Sequence, residues 1–209
     1  MTKITAPDAG DAGDAGDAGS HELIVTKTSH YHQVWNDKGS HSDRNGAFWH
    51  PKANGHARPL GSVAVNGHHD ISGSHHSVLV EKNPRAPSSP RGPPAAHPKS
   101  YQHLWIDAGT GTEQNVILWR PVPPSGYVSM GDVAGHGHHE PPHTDAVWCI
   151  RQDLVKHAGY AHHSTWDDKG TKAEHDISVW EIPHDHYLGC FRVSHNYHPP
   201  HSDLAWVLW

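Results

Sequence analysis

Short apolar segments separated by turn residues follow one another along most of the chain. In the middle of the chain they are 101–107, 115–120, 127–134 and 146–155. Two further segments close the flanking parts of the chain, 77–81 and 204–209. Segments of this length bounded by Gly, Pro, Asp and Ser are typical of β-strands. No segment shows a convincing helical period, although 147–156 is ambiguous, so the pattern predicts an all-β protein.

One tryptophan-centred motif occurs three times in these segments. Its pattern is Trp-x-Asp-x-Gly-Ser/Thr, and a second tryptophan follows the first after fourteen residues. The first tryptophans of the three copies are Trp35, Trp105 and Trp166, and the second ones are Trp49, Trp119 and Trp180. Further on, comparable places are occupied by Leu60-Gly61, Met130-Gly131 and Leu188-Gly189. The chain is therefore predicted to be a triplicated unit.

Three units of about four strands predict a pseudo-threefold β-prism of about twelve short strands, with a β-trefoil as the alternative. The predicted single domain covers residues 21–209, with units at about 28–83, 99–156 and 157–209. Residues 84–98 hold six prolines, which predicts a loop or extended linker.

Residues 1–20 carry four Asp-Ala-Gly triplets and predict a disordered acidic leader. The alternative for this segment is cation binding by Asp8, Asp11, Asp14 and Asp17.

Histidine dominates the charge of this chain. Of 209 residues, 25 are histidine, and protonating all of them would change the formal net charge from −6 to +19. Histidine titrates near neutrality, so the electrostatics depend strongly on pH. The negative charge at pH 7 argues against a nucleic-acid partner. No apolar run could span a bilayer and no signal peptide is visible, so we expect a cytoplasmic or peripheral membrane location.

The aspartates of the three motifs, Asp37, Asp107 and Asp168, are candidate ligand-binding residues. Their main interpretation is structural, because an aspartate two residues before glycine can accept hydrogen bonds from the backbone of a tight turn. Multivalent binding is the alternative. Catalysis normally needs different groups that converge at one site, and no known catalytic motif is present, so we do not expect an enzyme.

The six repeated tryptophans are predicted to form the core, because the composition offers few other large apolar side chains. An exposed subset would instead stack on sugars or lie at a membrane interface. Residues 206–209 are expected to close the last strand, or alternatively to form an exposed apolar end. Cys149 and Cys190 are either free thiols or one disulfide bridge.

Histidine pairs suggest a metal site, but their number is what this composition gives by chance. Their placement says more, because three clusters occupy related positions in the units. The tentative metal ligands are His68, His69, Asp70, His136, His138, His139, Glu140, His195 and His198. Imidazole and carboxylate together suit Zn²⁺, Cu²⁺ or Ni²⁺, although no cofactor is certain. The alternative is a set of solvent-facing, titratable loops.

Four segments carry a family resemblance: 115–121, 126–134, 147–155 and 166–171. They resemble the vacuolar protein sorting-associated protein 62 family. The wider resemblance, over about residues 28–209, is to the β-prism domains of multivesicular-body proteins and some bacterial pore-forming toxins. It implies a β-prism in a membrane or trafficking context, without catalytic machinery.

Together these features predict a non-enzymatic recognition module. Its loops at the ends of the prism would bind a membrane lipid or a glycan, with self-association as a further possibility. The alternative function is that of a histidine-rich, metal-binding or pH-responsive protein.

Overall fold

The described residues form an all-β protein, as predicted. A computed structural model describes residues 22–137 and 139–209. Within them are seventeen short β-strands, three 3₁₀ turns and no α-helix. The predicted acidic leader and His138 lie outside the described residues.

The strands fall into three successive groups along the chain. The first group is β1 (Leu23–Thr28), β2 (Tyr31–Asn36), β3 (Ala47–Pro51), β4 (Arg58–Pro59), β5 (Val63–Val65) and β6 (Ser77–Lys82). The second is β7 (Ala95–Ala96), β8 (Ser100–Ile106), β9 (Val116–Val122), β10 (Tyr127–Val128), β11 (Val133–His136), the 3₁₀ turns η1 (Thr144–Ala146) and η2 (Gln152–Leu154), and β12 (Cys149–Arg151). The third is β13 (Val155–His157), β14 (Trp166–Asp167), β15 (Ser178–Glu181), β16 (Phe191–Ser194), η3 (Ser202–Leu204) and β17 (Trp206–Leu208).

Each group contains the same three-stranded antiparallel sheet. The three sheets have the strand orders β2-β3-β5, β8-β9-β11 and β14-β15-β16. Their registers agree as well, because Trp49 pairs with Val63 and Trp119 with Val133. In the third sheet Trp180 pairs with Arg192. The sequence repeat therefore corresponds to a repeated sheet.

A second set of sheets is built from the remaining strands, in the orders β1-β6-β4, β7-β12-β10 and β13-β17. The first strand of each of these sheets precedes the three-stranded sheet of its own group. The units were predicted to begin at about residues 28, 99 and 157. The strand pairing places the start of each unit before these residues. One of these strands, Ala95–Ala96, lies within the proline-rich segment and at the edge of its sheet, where proline neighbours are tolerated.

Two predicted strands of the second unit are wrong in extent. Segment 127–134 is divided into β10 and β11, because Met130-Gly131 carries the chain from one sheet to another. Segment 146–155 contains the three-residue strand β12 between η1 and η2, and only the first residue of β13. There the 3₁₀ turn at 152–154 redirects the chain to β13, which belongs to a different sheet.

The described residues contain three apolar clusters, two large cores and a smaller cluster around Tyr31, Trp49 and Ile71. The first core combines side chains from all three repeated sheets and is centred on Trp35, Trp105 and Trp166. The second core contains Leu60, Met130 and other side chains of the second set. All six repeated tryptophans are buried, which confirms that they belong to the core.

A closed ring of backbone hydrogen bonds joins the three units where the chain passes between the two cores. The Ser62 N–H donates to the Asp132 carbonyl over 2.9 Å, and the Asp132 N–H donates to the Phe191 carbonyl over 2.8 Å. The Phe191 N–H completes the ring by donating to the Ser62 carbonyl over 3.3 Å. The units therefore meet through main-chain groups that do not depend on residue type.

The three residues just before the ring are Gly61, Gly131 and Cys190, and the space between them holds only the side chain of Cys190. A Cβ atom on Gly61 would lie 2.8 Å from the Gly131 Cα, and one on Gly131 would lie 2.4 Å from the Cys190 Cβ. Cys190, rather than Gly189, thus occupies the third glycine position, which corrects the sequence alignment by one residue. Both cysteines are free, and burial raises the pKa of the Cys190 thiol to about 12.

Gly131→Ala should destabilise the protein by about 1–3 kcal/mol, because the added methyl group would force the close contact with Cys190 apart. Equilibrium unfolding in urea measures this change. Gly159→Ala is the matched control, since a Cβ atom at Gly159 would meet nothing within 4 Å. Equal stability of the two variants would contradict the crowding described around the ring.

Candidate functional site

The structure places each motif aspartate at the start of a β-turn. The N–H groups of Ser40, Thr110 and Thr171 donate to the carbonyls of the aspartates three residues earlier, over 3.0–3.1 Å. The glycine between them has a φ of +88° at Gly39 and +85° at Gly170. A β-turn of type II requires this left-handed conformation at its third residue, which explains the Asp-x-Gly-Ser/Thr pattern.

Two of these aspartates bind a tryptophan of another unit. The Trp35 indole N–H donates to Asp107 Oδ2 over 3.2 Å, and the Trp166 indole N–H donates to Asp37 Oδ2 over 2.9 Å. The third contact differs, because the Trp105 indole donates over 2.9 Å to the backbone carbonyl of His175. The motif therefore connects neighbouring units instead of presenting a carboxylate to solvent.

Further groups contact the same three carboxylates. His68 Nε2 is hydrogen-bonded to Asp37 Oδ1, and the Tyr197 hydroxyl donates to Asp168 Oδ1 over 3.1 Å. Thr112 donates to Asp107 Oδ2 over 2.6 Å. All three aspartates are at most 5% exposed, and burial raises the pKa of Asp168. Their arrangement suits a structural role better than ligand binding.

The tentative metal ligands occupy several distinct environments. His68 lies against Asp37, the His69 ring is 6.0 Å from that of His75, and Asp70 accepts a hydrogen bond from the Ser72 N–H. The others among the described residues are exposed, namely His136, His139, Glu140, His195 and His198. Within residues 22–137 and 139–209, no group of three or more His, Cys, Asp or Glu could hold a metal ion. A metal site remains a prediction, and it gains no support here.

A different histidine cluster lies where β2 of the first unit runs beside β11 of the second unit. His32 on β2 and His136 on β11 have ring centroids 6.4 Å apart, in a stacked orientation. His50 on β3 lies 5.5 Å from His32. The sequence placed His136 among the metal candidates but gave no reason to group it with the other two, which come from distant segments.

Two adjoining cavities open at this cluster, and together we call them the seam groove. One measures about 270 Å³ and the other about 440 Å³, and both are lined by His32, His50 and Ala146. Glu140 lies in the smaller cavity, whereas Lys52, Arg58 and Asp145 line the larger one. The volume of the larger cavity is in the range of small-ligand sites.

His50 forms a neutral floor of the seam groove. Its Nδ1 lies 2.9 Å from Ser62 Oγ, which also accepts the Ala134 N–H over 3.0 Å. The Ser62 hydroxyl can thus donate to Nδ1. Burial lowers the pKa of His50 to about 4, so the ring carries no charge near neutrality. Burial and the neighbouring His136 also lower the pKa of His32.

A buried ion network takes the place of His50 and Ser62 in the second unit. Arg120 holds Asp132 through two hydrogen bonds of 2.8–2.9 Å. Arg192 of the third unit binds the same carboxylate over 2.8 Å, and the Val193 N–H donates to it. Asp132 is fully buried, but these partners compensate the cost of removing its charge from water.

These features define a triplicated all-β domain whose units are joined by a backbone ring and by buried polar contacts. The sequence profile of vacuolar protein sorting-associated protein 62 matches residues 6–189, so the chain belongs to the Vps62 family. A search of curated proteins gives no significant match.

Among solved structures, the crystal structure of GNIP1Aa from Chromobacterium piscinae is similar, with a TM-score of 0.71 and 24% sequence identity. The match covers 88% of this chain and 35% of the GNIP1Aa chain. The present chain thus spans about a third of that protein, and the likeness shows a shared fold.

Asp37→Ala should destabilise the protein by about 2–4 kcal/mol, because it leaves the buried Trp166 indole N–H and His68 without their partner. Chemical denaturation followed by tryptophan fluorescence measures the change. Asp185→Ala, at an exposed position, should stay within about 0.5 kcal/mol of the parent. A similarly small effect at Asp37 would show that the contact between the units is not important for stability.

Acidification should destabilise the fold through His50. Its pKa of about 4 in the folded protein lies below the ordinary value of 6.5, so the unfolded chain binds the proton more tightly. The stabilisation is therefore complete above about pH 6.5 and is lost as the pH falls toward 4, by roughly 2–3 kcal/mol.

Urea unfolding at about pH 7 and about pH 4.5 tests this dependence. His50→Gln should lose less stability between the two values than the parent, whereas His97→Gln, at an exposed position, should lose as much as the parent. An unchanged loss in His50→Gln would refute the assignment.

Proposed function

We propose that this protein is a non-enzymatic recognition module that binds an anionic membrane surface through its loops when histidines become protonated. The exposure of the histidines carries the proposal. Within residues 22–137 and 139–209, only His50, His68, His75 and His184 are half-buried, and every other histidine is exposed. Exposed imidazoles exchange protons with solvent and change the surface charge directly.

The expected change in charge is large. The formal net charge is −6 with neutral histidines, and each exposed histidine that gains a proton adds one positive charge. Because an ordinary histidine pKa is about 6.5, much of this change occurs between about pH 7 and pH 5. A surface that becomes cationic is attracted to acidic lipids.

A membrane is favoured over a glycan by the position of the tryptophans. All six repeated tryptophans are buried, so none of them offers a ring on which a sugar could stack. Trp209, which follows β17, is 59% exposed and is suited to an interfacial position. No helix in the described residues is long and apolar enough to cross a membrane. The association that we propose is peripheral, through the loops and Trp209.

The architecture that we infer for this module is a β-prism with pseudo-threefold symmetry. Its support is the threefold repetition of the sheets and the hydrogen-bond ring that closes between the units. In such a body the loops that follow β5, β11 and β16 lie at equivalent positions. Equivalent loops allow several weak contacts to act together on one surface.

Cosedimentation with vesicles that contain phosphatidylserine, at about pH 7.4 and about pH 5.5, tests the proposal. Binding should increase at least about tenfold at the lower pH and decrease at high salt. Vesicles of phosphatidylcholine alone are the control and should bind little at either pH. Equal binding at both pH values, or binding only to immobilised glycans, would refute the proposal.

Two sets of substitutions separate loop binding from general charge. The first replaces exposed histidines of the equivalent loops by glutamine, at His69, His139, His195 and His198. The second replaces the same number of exposed histidines elsewhere, at His97, His157, His162 and His163. The first set should weaken binding at about pH 5.5 several-fold more than the second. Equal losses would show that charge anywhere on the surface is sufficient.

A further inference from the structure

Strand β1 leaves one edge of its sheet open. It lies at the end of the strand order β1-β6-β4, and among the described strands it pairs only with β6. All six of its residues pair with β6 in one continuous register, and residues 24–27 are exposed. A long edge strand of this kind presents a row of backbone groups to which another strand can add.

The hydrogen bonds along β1 and β6 show which backbone groups face the open edge. The Asn83 N–H donates to the Glu22 carbonyl over 2.9 Å, and these two residues continue the register of the strands. In an antiparallel pair, hydrogen-bonded positions alternate with non-hydrogen-bonded ones, so the even-numbered residues of β1 bond to β6. The N–H and C=O groups of Leu23, Val25 and Lys27 therefore point away from β6.

The equivalent strands of the other two units are less suited to pairing. Strand β7 has two residues and lies between Pro94 and Pro98, and β13 has three residues. Short strands and neighbouring prolines are common ways in which proteins protect a sheet edge. Strand β1 has neither, and Lys27 is the one charged side chain among its exposed residues.

The burial of the side chains also distinguishes β1 from its equivalents. Val25, Ala95 and Val155 occupy the same position in the three units, because they pair with equivalent residues of β6, β12 and β17. Ala95 and Val155 are at most 4% exposed, whereas Val25 is 47% exposed and the adjacent Ile24 is 38% exposed. The open edge thus carries two exposed apolar side chains.

We propose that β1 is a dimerisation edge, to which a second copy of this chain adds its own β1 in antiparallel orientation. The outward-facing residues of the two strands have to pair with one another. A twofold axis at Val25 achieves this over the whole strand, with Val25 opposite Val25 and Leu23 opposite Lys27 of the second copy. Each of the three pairs exchanges two backbone hydrogen bonds, about six in total.

The side chains of β1 match those of its own copy in this register. Val25 meets Val25 across the axis on one face, and Ile24 meets Thr26 of the second copy on the other. Cross-strand pairs of β-branched residues stabilise a sheet. The two Lys27 side chains lie roughly 13 Å apart along the strands, so they do not repel each other strongly. An unrelated strand would offer such a match only by chance, whereas a second copy always offers it.

Dimerisation at β1 goes beyond the proposed membrane function and does not depend on it. The strand contributes none of the loops that follow β5, β11 and β16. Because β1 has a single open edge, pairing through it closes at two copies.

Sedimentation velocity of the full chain between about 1 and 200 µM tests the proposal. The parent should change from monomer to dimer as the concentration rises. Val25→Pro should stay monomeric, because proline removes an outward-facing N–H and places its ring at the open edge. This N–H does not bond to β6, so the variant should keep its fold, which thermal unfolding checks.

Opposite charges placed on the axis give a sharper test. V25K alone and V25E alone should each stay monomeric, because like charges would lie directly opposite each other. An equal mixture of the two should form a heterodimer, with affinity at least about tenfold higher than either variant has for itself. V122K is the matched control, since Val122 is similarly exposed on a different sheet, and it should dimerise like the parent.

The outcomes separate this pairing from other occupants of the edge. A parent that stays monomeric at every concentration, or that grows beyond a dimer, would overturn the proposal. So would a dimer that persists in Val25→Pro or V25K, or an equal loss in V122K. If the mixture of V25K and V25E does not restore the dimer, the twofold axis at Val25 is wrong.

Discussion

The closed ring of hydrogen bonds between Ser62, Asp132 and Phe191 is the constraint on which the rest of the structure depends. The chain passes between the two cores at three places, which we call the crossings. Because each donor and acceptor of the ring belongs to the backbone, the ring holds these three crossings close together. The glycine positions before it follow from that close approach. A main-chain ring also tolerates different side chains, so the three crossings carry a hydroxyl, a carboxylate and a phenyl group.

Side chains then determine what each connection between units does. The first unit places the neutral pair His50 and Ser62 near the ring, whereas the second places the charged pair Arg120 and Asp132 there. The charged pair is enclosed and satisfied by Arg192. The neutral pair lies beneath an open groove with titratable rings. The first connection has therefore kept solvent access, while the enclosed one contributes to stability.

The repeat, the tryptophan core and the aspartate turns could be predicted from the sequence, because each depends on residue types at fixed spacing. The ring could not, since Ser62, Asp132 and Phe191 share no chemistry that a pattern could reveal. The alignment of the three units by sequence placed Gly189 where the structure has Cys190, because Gly189 resembles the glycines of the other units. The seam groove was not predictable either, because tertiary packing alone brings together histidines from β2, β3 and β11.

The unlike residues around the ring also favour one arrangement of the three units over the others. Arg120 needs the carboxylate of Asp132, which in turn needs Arg192 from the third unit, and neither of the other crossings offers that combination. Three identical units could exchange places and form open chains or rings between molecules. In this protein, a unit docked in the wrong place would bury an unpaired charge. The asymmetry of the connections thus specifies a single closed arrangement within one chain.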